Sequence, residues 1–254
     1  MSGVFEDAYA AYYDLLYADK NYAAEAAYVA NCLARHGGGV GAVLELGSGT
    51  GKHALELVRL GYEVLGIDKS DAMVRIANQR SPQPSIRRSE FTTADVRTYR
   101  SSRAFDAVVS LFHVVSYQTT REDLIATFET AANHLRRGGI FLFDCWYGPA
   151  VLSKRPSARI KRIRNEIIYV VRIAEPALDV RRNLAVIDYT LLIQSIGREL
   201  QEFHETHCLR YLFEPEVCDI LMQTGFELCD AHESLSRRPL GIDTWGATFV
   251  AKKL

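Results

Sequence analysis

Apolar positions recur along this chain with two different periods, and the change of period divides it. Residues 5–35 carry Ala, Leu, Tyr and Val at helical spacing with charges between them, which predicts helix. The run His36-Gly37-Gly38-Gly39 ends that segment, because glycine readily takes a left-handed cap. Short apolar runs then alternate with amphipathic stretches. They predict strands over 43–46, 63–67, 86–93, 105–111 and 140–144, and helices over 52–60, 70–79 and 122–135. Ser70 caps the second of these helices, Ser81-Pro82-Gln83-Pro84 is a loop, and Gly138-Gly139 stops the third helix.

Near-continuous apolar strands separated by helices imply a parallel sheet covered on both faces. After residue 150 the pattern changes. Runs at 159–174, 183–193 and 199–213 are rich in Ile, Val, Tyr and Arg, with turns at Arg181-Arg182-Asn183 and Ile196-Gly197-Arg198. They predict an inserted three-stranded antiparallel sheet. A helix over 215–224 and strands over 226–231 and 244–251 then rejoin the main sheet. The expected fold is α/β, a doubly wound, mainly parallel seven-stranded sheet. Residues 1–150 and 214–254 form the main domain, with a helical cap over 1–38, and 151–213 form the insertion. The insertion serves as a substrate-binding lid or as a dimerisation arm, and its sheet edge makes a homodimer a further expectation.

Charge narrows the function. Thirty Lys and Arg face 31 Asp and Glu, so no global field favours nucleic acid or a membrane surface. There is no apolar run of bilayer length and no leader-like start, and the five cysteines are odd in number and far apart. The expected setting is the cytoplasm. His204 and His207 are the one close histidine pair, but their odd spacing in a strand turns them to opposite faces, so no metal site is expected.

The candidate chemistry begins at Glu45-Leu46-Gly47-Ser48-Gly49-Thr50-Gly51, between the first strand and the first helix after it. Glycines permit a tight turn and close approach of a ligand. A dinucleotide fingerprint would need glycine at 52, where Lys52 stands. Asp68 ends the second strand, where a carboxylate can accept both ribose hydroxyls. Asp95 follows the third strand, where an acceptor can meet an exocyclic amine of adenine. Val96 packs beside it, and Met73 is placed to cover the other adenine face.

These four features, in this order and spacing, resemble the class I methyltransferases that depend on S-adenosyl-L-methionine (SAM) and release S-adenosyl-L-homocysteine. The resemblance implies a Rossmann-like fold. It implies that Gly47, Gly49 and Gly51 wrap the methionine part of SAM, that Asp68 holds the ribose, and that Asp95 and Val96 hold the adenine. Tyr22, Glu45, Ser48, Lys69 and Leu111 complete the expected cofactor set. Ser48 stands where the family often has Cys, and Glu45 where Asp is common.

A second resemblance runs over most of the chain. Tyr13-Asp14-Leu15-Leu16-Tyr17, Tyr22-Ala23-Ala24-Glu25-Ala26 and the segment from Val109 to Tyr117 are similar to the TDP-amino-sugar N,N-dimethyltransferases. That likeness implies a tyrosine, here Tyr17, beside the methyl donor and the acceptor amine. His113 departs from the small residue of those enzymes. It follows the end of a strand, where ligands gather in open α/β sheets, and is either a general base or a histidine bonded to backbone. Tyr17 and His113 are the catalytic candidates. Tyr13, Tyr117, Trp146, His207 and Arg238 are the acceptor candidates, each with a packing role as the alternative.

The arginines of the insertion, Arg159, Arg162, Arg164 and Arg172 among them, are either a solvated face or a clamp for a diphosphate. The leading expectation is N-methylation of a small molecule, preferably a nucleotide-linked amino sugar. Alternatives are an O-methyltransferase with His113 as base, and a SAM-binding module without turnover.

Overall fold

A computed structural model describes residues 7–80 and 89–254 of the chain. The expected loop at 81–84, residues 86–88 of the expected third strand and residues 5–6 of the first helix lie outside the described residues. The elements run α1 (Asp7–Leu16), α2 (Tyr22–His36), β1 (Ala42–Leu46), α3 (Lys52–Arg59), β2 (Glu63–Asp68), α4 (Asp71–Arg80) and β3 (Ser89–Thr93). They continue with β4 (Phe105–Ser110), a 3-10 turn (Val114–Tyr117), α5 (Arg121–His134), β5 (Leu135–Trp146) and α6 (Gly148–Lys154). The insertion follows as β6 (Arg159–Arg164), β7 (Ile168–Asp179), β8 (Leu184–Ser195) and β9 (Gln201–Arg210), and the chain closes with α7 (Glu214–Gln223), β10 (Phe226–Glu233) and β11 (Gly246–Lys253).

The main sheet has seven strands in the order β10-β11-β5-β4-β1-β2-β3. β11 alone runs against its neighbours β5 and β10. The chain builds β1, β2 and β3 toward one edge, then returns to lay β4 on the other side of β1. That reversal opens a crevice at the carboxyl ends of β1 and β4, the place where doubly wound sheets bind ligands.

Both faces of the sheet are covered, as the apolar strands require. On one face Leu124, Phe128 and Ala131 of α5 and Val217, Ile220 and Leu221 of α7 pack on Leu44, Phe141 and Phe249. On the other, residues of α2, α3 and α4 pack on Val43, Val64 and Val109. A third cluster joins Ala10 and Leu16 of α1, Ala72 and Met73 of α4, and Val170, Leu191 and Ile193 of the insertion. This cluster ties the inserted sheet to the cofactor side of the main domain.

Four local expectations are corrected. The insertion has four strands, in the order β6-β7-β8-β9, because the run over 159–174 folds back on itself. Asn165 makes that turn: its side-chain oxygen accepts the N–H groups of Ile167 and Ile168, both at 2.9 Å. The first helical segment is two helices. Asn21 caps α2 by accepting the N–H of Ala24 at 3.0 Å, and Lys161 of β6 closes the end of α1 on the Leu16 carbonyl at 2.7 Å. The glycine at the end of α2 is not left-handed: Gly37 has φ −119°, and glycine is needed there because a Cβ would stand 2.8 Å from Ile140. The left-handed turn comes at Gly39, φ 77°. Finally, Gly138-Gly139 lie inside β5 rather than after α5. The strand starts at Leu135, and its register against β4 slips between Phe105 and Ala107, so the two glycines form an irregular stretch of strand.

Candidate active site

The crevice is floored by the loop that leaves β1. Gly47, Gly49 and Gly51 have φ of 75°, 55° and 77°, a region that strains any residue with a Cβ. At Gly47 a Cβ would stand 2.5 Å from Val114, and at Gly51 2.7 Å from Phe91. Around Gly49 nothing lies within 4 Å of that position, so the middle of the loop is open for a ligand to approach the backbone. The loop is clamped to β2: the N–H groups of Gly47 and Ser48 both donate to the Ile67 carbonyl, at 2.8 and 2.9 Å.

Asp68, at the end of β2, accepts the N–H of Gly49 at 2.8 Å and of Ser70 at 2.9 Å. Burial pushes its carboxyl above the usual range, and these donors oppose the shift. Glu45 lies beneath the loop, 1% exposed. Burial first, then the neighbouring Asp68, push its carboxyl up to about 8. Its Oε2 has no hydrogen-bond partner among the described residues. A buried carboxylate oxygen without a donor calls for a cation or donor from a ligand, and the ammonium of a methionyl group is one. These residues therefore fit SAM: an open glycine loop, an orphaned acceptor beneath it and a carboxylate at the ribose position.

The outer cofactor candidates are more committed to the protein. Arg97 grips Asp95 with Nε at 2.9 Å and Nη2 at 2.6 Å and holds its carboxyl down at about 2. Lys69 is exposed, 3.8 Å from Asp95. Val96 and Leu111 are buried in the two main core clusters, and Met73 packs into the cluster with α1. Tyr22 stands edge-on to His53, ring centroids 4.8 Å apart, and burial raises its hydroxyl. His53 in turn bonds Glu25 at 2.8 Å and lies 3.9 Å from Glu45. This polar cluster behind the loop was not legible from spacing.

Above the crevice, side chains from three distant segments form a continuous chain of contacts. Phe112 and His113, which follow β4, both have positive φ, 64° and 66°, a strained pair of the kind concentrated at functional sites. The His113 N–H donates to Asp144 at 2.8 Å, and its ring Nδ1 lies 3.5 Å from the same carboxylate. Phe112 meets the ring of Tyr17 edge-on at 5.1 Å, and Tyr17 meets Tyr13 at 4.8 Å. Arg172 of β7 donates to the Tyr17 hydroxyl at 3.1 Å, and its guanidinium lies 5.1 Å from the centre of the Tyr189 ring. Tyr189 meets His207 at 4.8 Å, and His207 bonds the Tyr117 hydroxyl at 2.8 Å. Tyr117 belongs to the turn that His113 starts, so the circuit closes.

Tyr13, Tyr17, His113, Tyr117 and His207 are thus brought together. Trp146 borders them, its N–H held by Ser116 at 2.9 Å. Arg238 does not join them: it is exposed between β10 and β11 and pairs with Glu233 at 2.6 Å. The arginines divide. Arg159, Arg162 and Arg164 are exposed, while Arg172 turns inward. Phe112, Tyr189 and Glu205 escaped the sequence reading. The signal for the last two was parity: Glu205 and His207 share a strand face, and Tyr189 pairs with Glu205.

Three comparisons bear on this arrangement. A family model described as a methyltransferase domain matches residues 43–139. The chain is 26% identical over 216 residues to the dTDP-3-amino-3,4,6-trideoxy-alpha-D-glucopyranose N,N-dimethyltransferase of Streptomyces venezuelae, covering 84% of this chain and 87% of that one. It is 30% identical over 191 residues to a putative methyltransferase of Bacillus subtilis, covering 74% of each. The X-ray structure of a sugar N-methyltransferase from Streptoalloteichus superposes with a TM-score of 0.83 at 20% identity, covering all of this chain and 95% of that one. With these relatives, its glycine loop and its sheet order, the chain belongs to the S-adenosylmethionine-dependent methyltransferases.

Proposed function

We propose that this enzyme transfers a methyl group from SAM to the amine of a nucleotide-linked amino sugar. The observation that carries the reading is the circuit of aromatic and basic side chains closed over the crevice by the inserted sheet. It is a pocket for a small polar acceptor, built where the carboxyl ends of β1 and β4 present the cofactor loop. Amino-sugar relatives of similar length and layout support it.

When bound, SAM supplies an electrophilic methyl group on a positively charged sulfur. The chain's own part is approach and orientation. Glu45, the glycine loop and Asp68 seat the cofactor. The Tyr17 hydroxyl, held by Arg172, and the His113 ring, held near Asp144, orient the acceptor from opposite sides of Phe112. Their rings favour the passing positive charge through cation–π contact.

The test is incubation with SAM and dTDP-3-amino-3,4,6-trideoxyglucose, read by mass spectrometry as a gain of one or two methyl groups. Methylation of a sugar hydroxyl instead would favour a second reading. The His113–Asp144 pair supports that alternative, since a histidine backed by a carboxylate is the arrangement of a general base for a hydroxyl. His113→Gln is expected to lower kcat at least about tenfold while calorimetry shows unchanged SAM affinity; a wild-type rate would reduce His113 to packing.

Five free thiols suit a reducing cytoplasm. No helix among the described residues is long and apolar enough to cross a membrane. The exposed outer residues Ile160, Ile167 and Tyr169 of the inserted sheet suit pairing with a second copy, which sedimentation would detect.

A further inference from the structure

Side chains bind the turn after β4 to the neighbouring strand where the backbone ladder stops. The parallel pairing of β4 with β5 ends at Ser110 and Phe143. Beyond it, Asp144 accepts the N–H of His113 at 2.8 Å, and Ser116 accepts the N–H of Trp146 at 2.9 Å. The two bonds run in opposite directions between the same two segments. Asp144 interrupts an apolar series: Ile140 and Leu142, of the same parity on β5, are buried in one core cluster. Its side chain is only 16% exposed, so its oxygens need donors, and a backbone N–H supplies one.

That N–H belongs to a strained backbone. Phe112 and His113 are consecutive residues with φ of 64° and 66°, and neither is glycine. Residues with a Cβ visit this region singly, and a pair of them persists only where the surroundings impose it. His113 also starts the 3-10 turn, its carbonyl accepting the N–H of Ser116 at 2.9 Å. With its N–H on Asp144 and its carbonyl on Ser116, the peptide groups on both sides of His113 are fixed. The imidazole is not what Asp144 bonds. Nδ1 lies 3.5 Å from the second carboxylate oxygen and has no hydrogen-bond partner among the described residues.

Three successive side chains on this backbone meet three parts of the crevice. Phe112 meets Tyr17 at 5.1 Å, and Nζ of Lys20 lies 4.0 Å from its ring centre. His113 lies against Gly246 of β11, where a Cβ would stand 3.4 Å from its Cε1. Val114 sits on Gly47 of the glycine loop and leaves no room there for a Cβ. We propose that Asp144 is a positioning residue: by holding the His113 N–H it keeps Phe112 and His113 left-handed, and so fixes the acceptor side of the crevice against the cofactor loop. This rests on the reading of the crevice as the site of methyl transfer. No bond is made or broken at Asp144. It acts through the turn, and what it supplies is the alignment of acceptor and methyl donor.

The test compares Asp144→Ala with Asp144→Asn in the full-length enzyme, with SAM and dTDP-3-amino-3,4,6-trideoxyglucose as the probe, each variant assayed well below its own Tm. Asparagine keeps a carbonyl oxygen for the His113 N–H and loses the charge, whereas alanine loses both. Asp144→Ala is expected to lower kcat by roughly 10- to 100-fold, the scale on which a small misplacement acts. Its SAM affinity is expected to fall by about three- to tenfold by calorimetry as Val114 loosens from Gly47, the scale of one lost hydrogen bond. Asp144→Asn is expected to recover all but about threefold of both losses. Amide exchange over residues 112–117 should follow the same order, slow in the wild type and the asparagine variant and fast in the alanine variant. Equal losses in the two variants would assign the role to the charge beside the imidazole and overturn the clamp, as would a wild-type kcat in Asp144→Ala. If the wild-type enzyme leaves the probe unmethylated, it is the acceptor reading that fails. The clamp then stands or falls on the order of SAM affinity and amide exchange among the three proteins, since neither needs the acceptor.

Discussion

The two ends of the crevice are built in opposite ways. The heart of the proposed cofactor end comes from one continuous stretch, Glu45 to Asp68, in which β1, the glycine turn into α3, and β2 place Glu45, the three glycines and Asp68. The acceptor end comes from segments far apart in the chain: Tyr17, the residues from Phe112 to Tyr117, Arg172, and the strand pair holding Tyr189, Glu205 and His207. A local site tolerates little change because its backbone is the binding surface. A site assembled from distant parts can change its acceptor by altering side chains on the inserted sheet, far along the chain from the glycine loop. This difference orders the expected effects of mutation.

The largest effect belongs to the loop. Gly51→Ala puts a Cβ at φ 77° and 2.7 Å from Phe91, so strain and overlap together are expected to cost at least about 2 kcal/mol. Thermal unfolding with and without SAM would show a lower Tm and lost ligand stabilisation. A stable variant that still binds would refute the close fit of loop and strand. Next comes Asp68→Ala, which removes the proposed ribose acceptor and frees the Gly49 N–H at once. SAM affinity should fall at least about tenfold by calorimetry, one such interaction being worth roughly 1.5–3 kcal/mol.

On the acceptor side, Arg172→Met frees the Tyr17 hydroxyl and removes the cation between two tyrosine rings. The acceptor KM or kcat should change by about tenfold while SAM binding does not, since the lost contacts are each worth about 1 kcal/mol. Equal losses in SAM binding would show that the two ends are not separable.

A smaller effect is a pH dependence. The Glu45 carboxyl sits at about 8 in the folded protein against an ordinary 4.5. Between those values the folded state holds a proton that the unfolded state has released, so this group's contribution to stability is full below about pH 4.5 and is lost as pH rises through 8. In the absence of SAM, the Tm of the wild type should therefore fall over this window more than that of Glu45→Gln. Parallel melting curves for the two would place the carboxyl in a polar, solvated setting. The smallest effect is expected at Arg159→Glu. The residue is exposed on the edge strand β6, so stability should move by less than about 0.5 kcal/mol and acceptor KM by less than about twofold. A large rise in KM would restore the diphosphate clamp.

How far each end could be read from the chain follows the same division. The placement of Glu45, Gly47, Gly49, Gly51 and Asp68 was legible because it depends on spacing within one strand-helix-strand unit. The acceptor candidates Tyr17, His113, Tyr117 and His207 were legible as residues, through resemblance and through their positions after strand ends. Their partners were not. The run over 159–174 read as one strand because no glycine or proline breaks it, and the turn at Asn165 works through a side-chain hydrogen bond. Arg172 read as one cation of a run that was either a solvated face or a diphosphate clamp, although its neighbours on the adjacent strands carry it inward to Tyr17. Arg238 was read toward the acceptor but ends in solvent beside Glu233.

By itself, then, the sequence determined the α/β architecture and the glycine loop with the carboxylates beside it, because backbone periodicity and glycine conformation act over a few neighbouring residues. Tertiary structure alone decided which cation turns inward, that His207 lies between Tyr117 and Glu205, and that the buried Glu45 has an oxygen, Oε2, with no hydrogen-bond partner among the described residues. Those are consequences of strand register and of burial, and both exist only once segments distant in the chain have packed together.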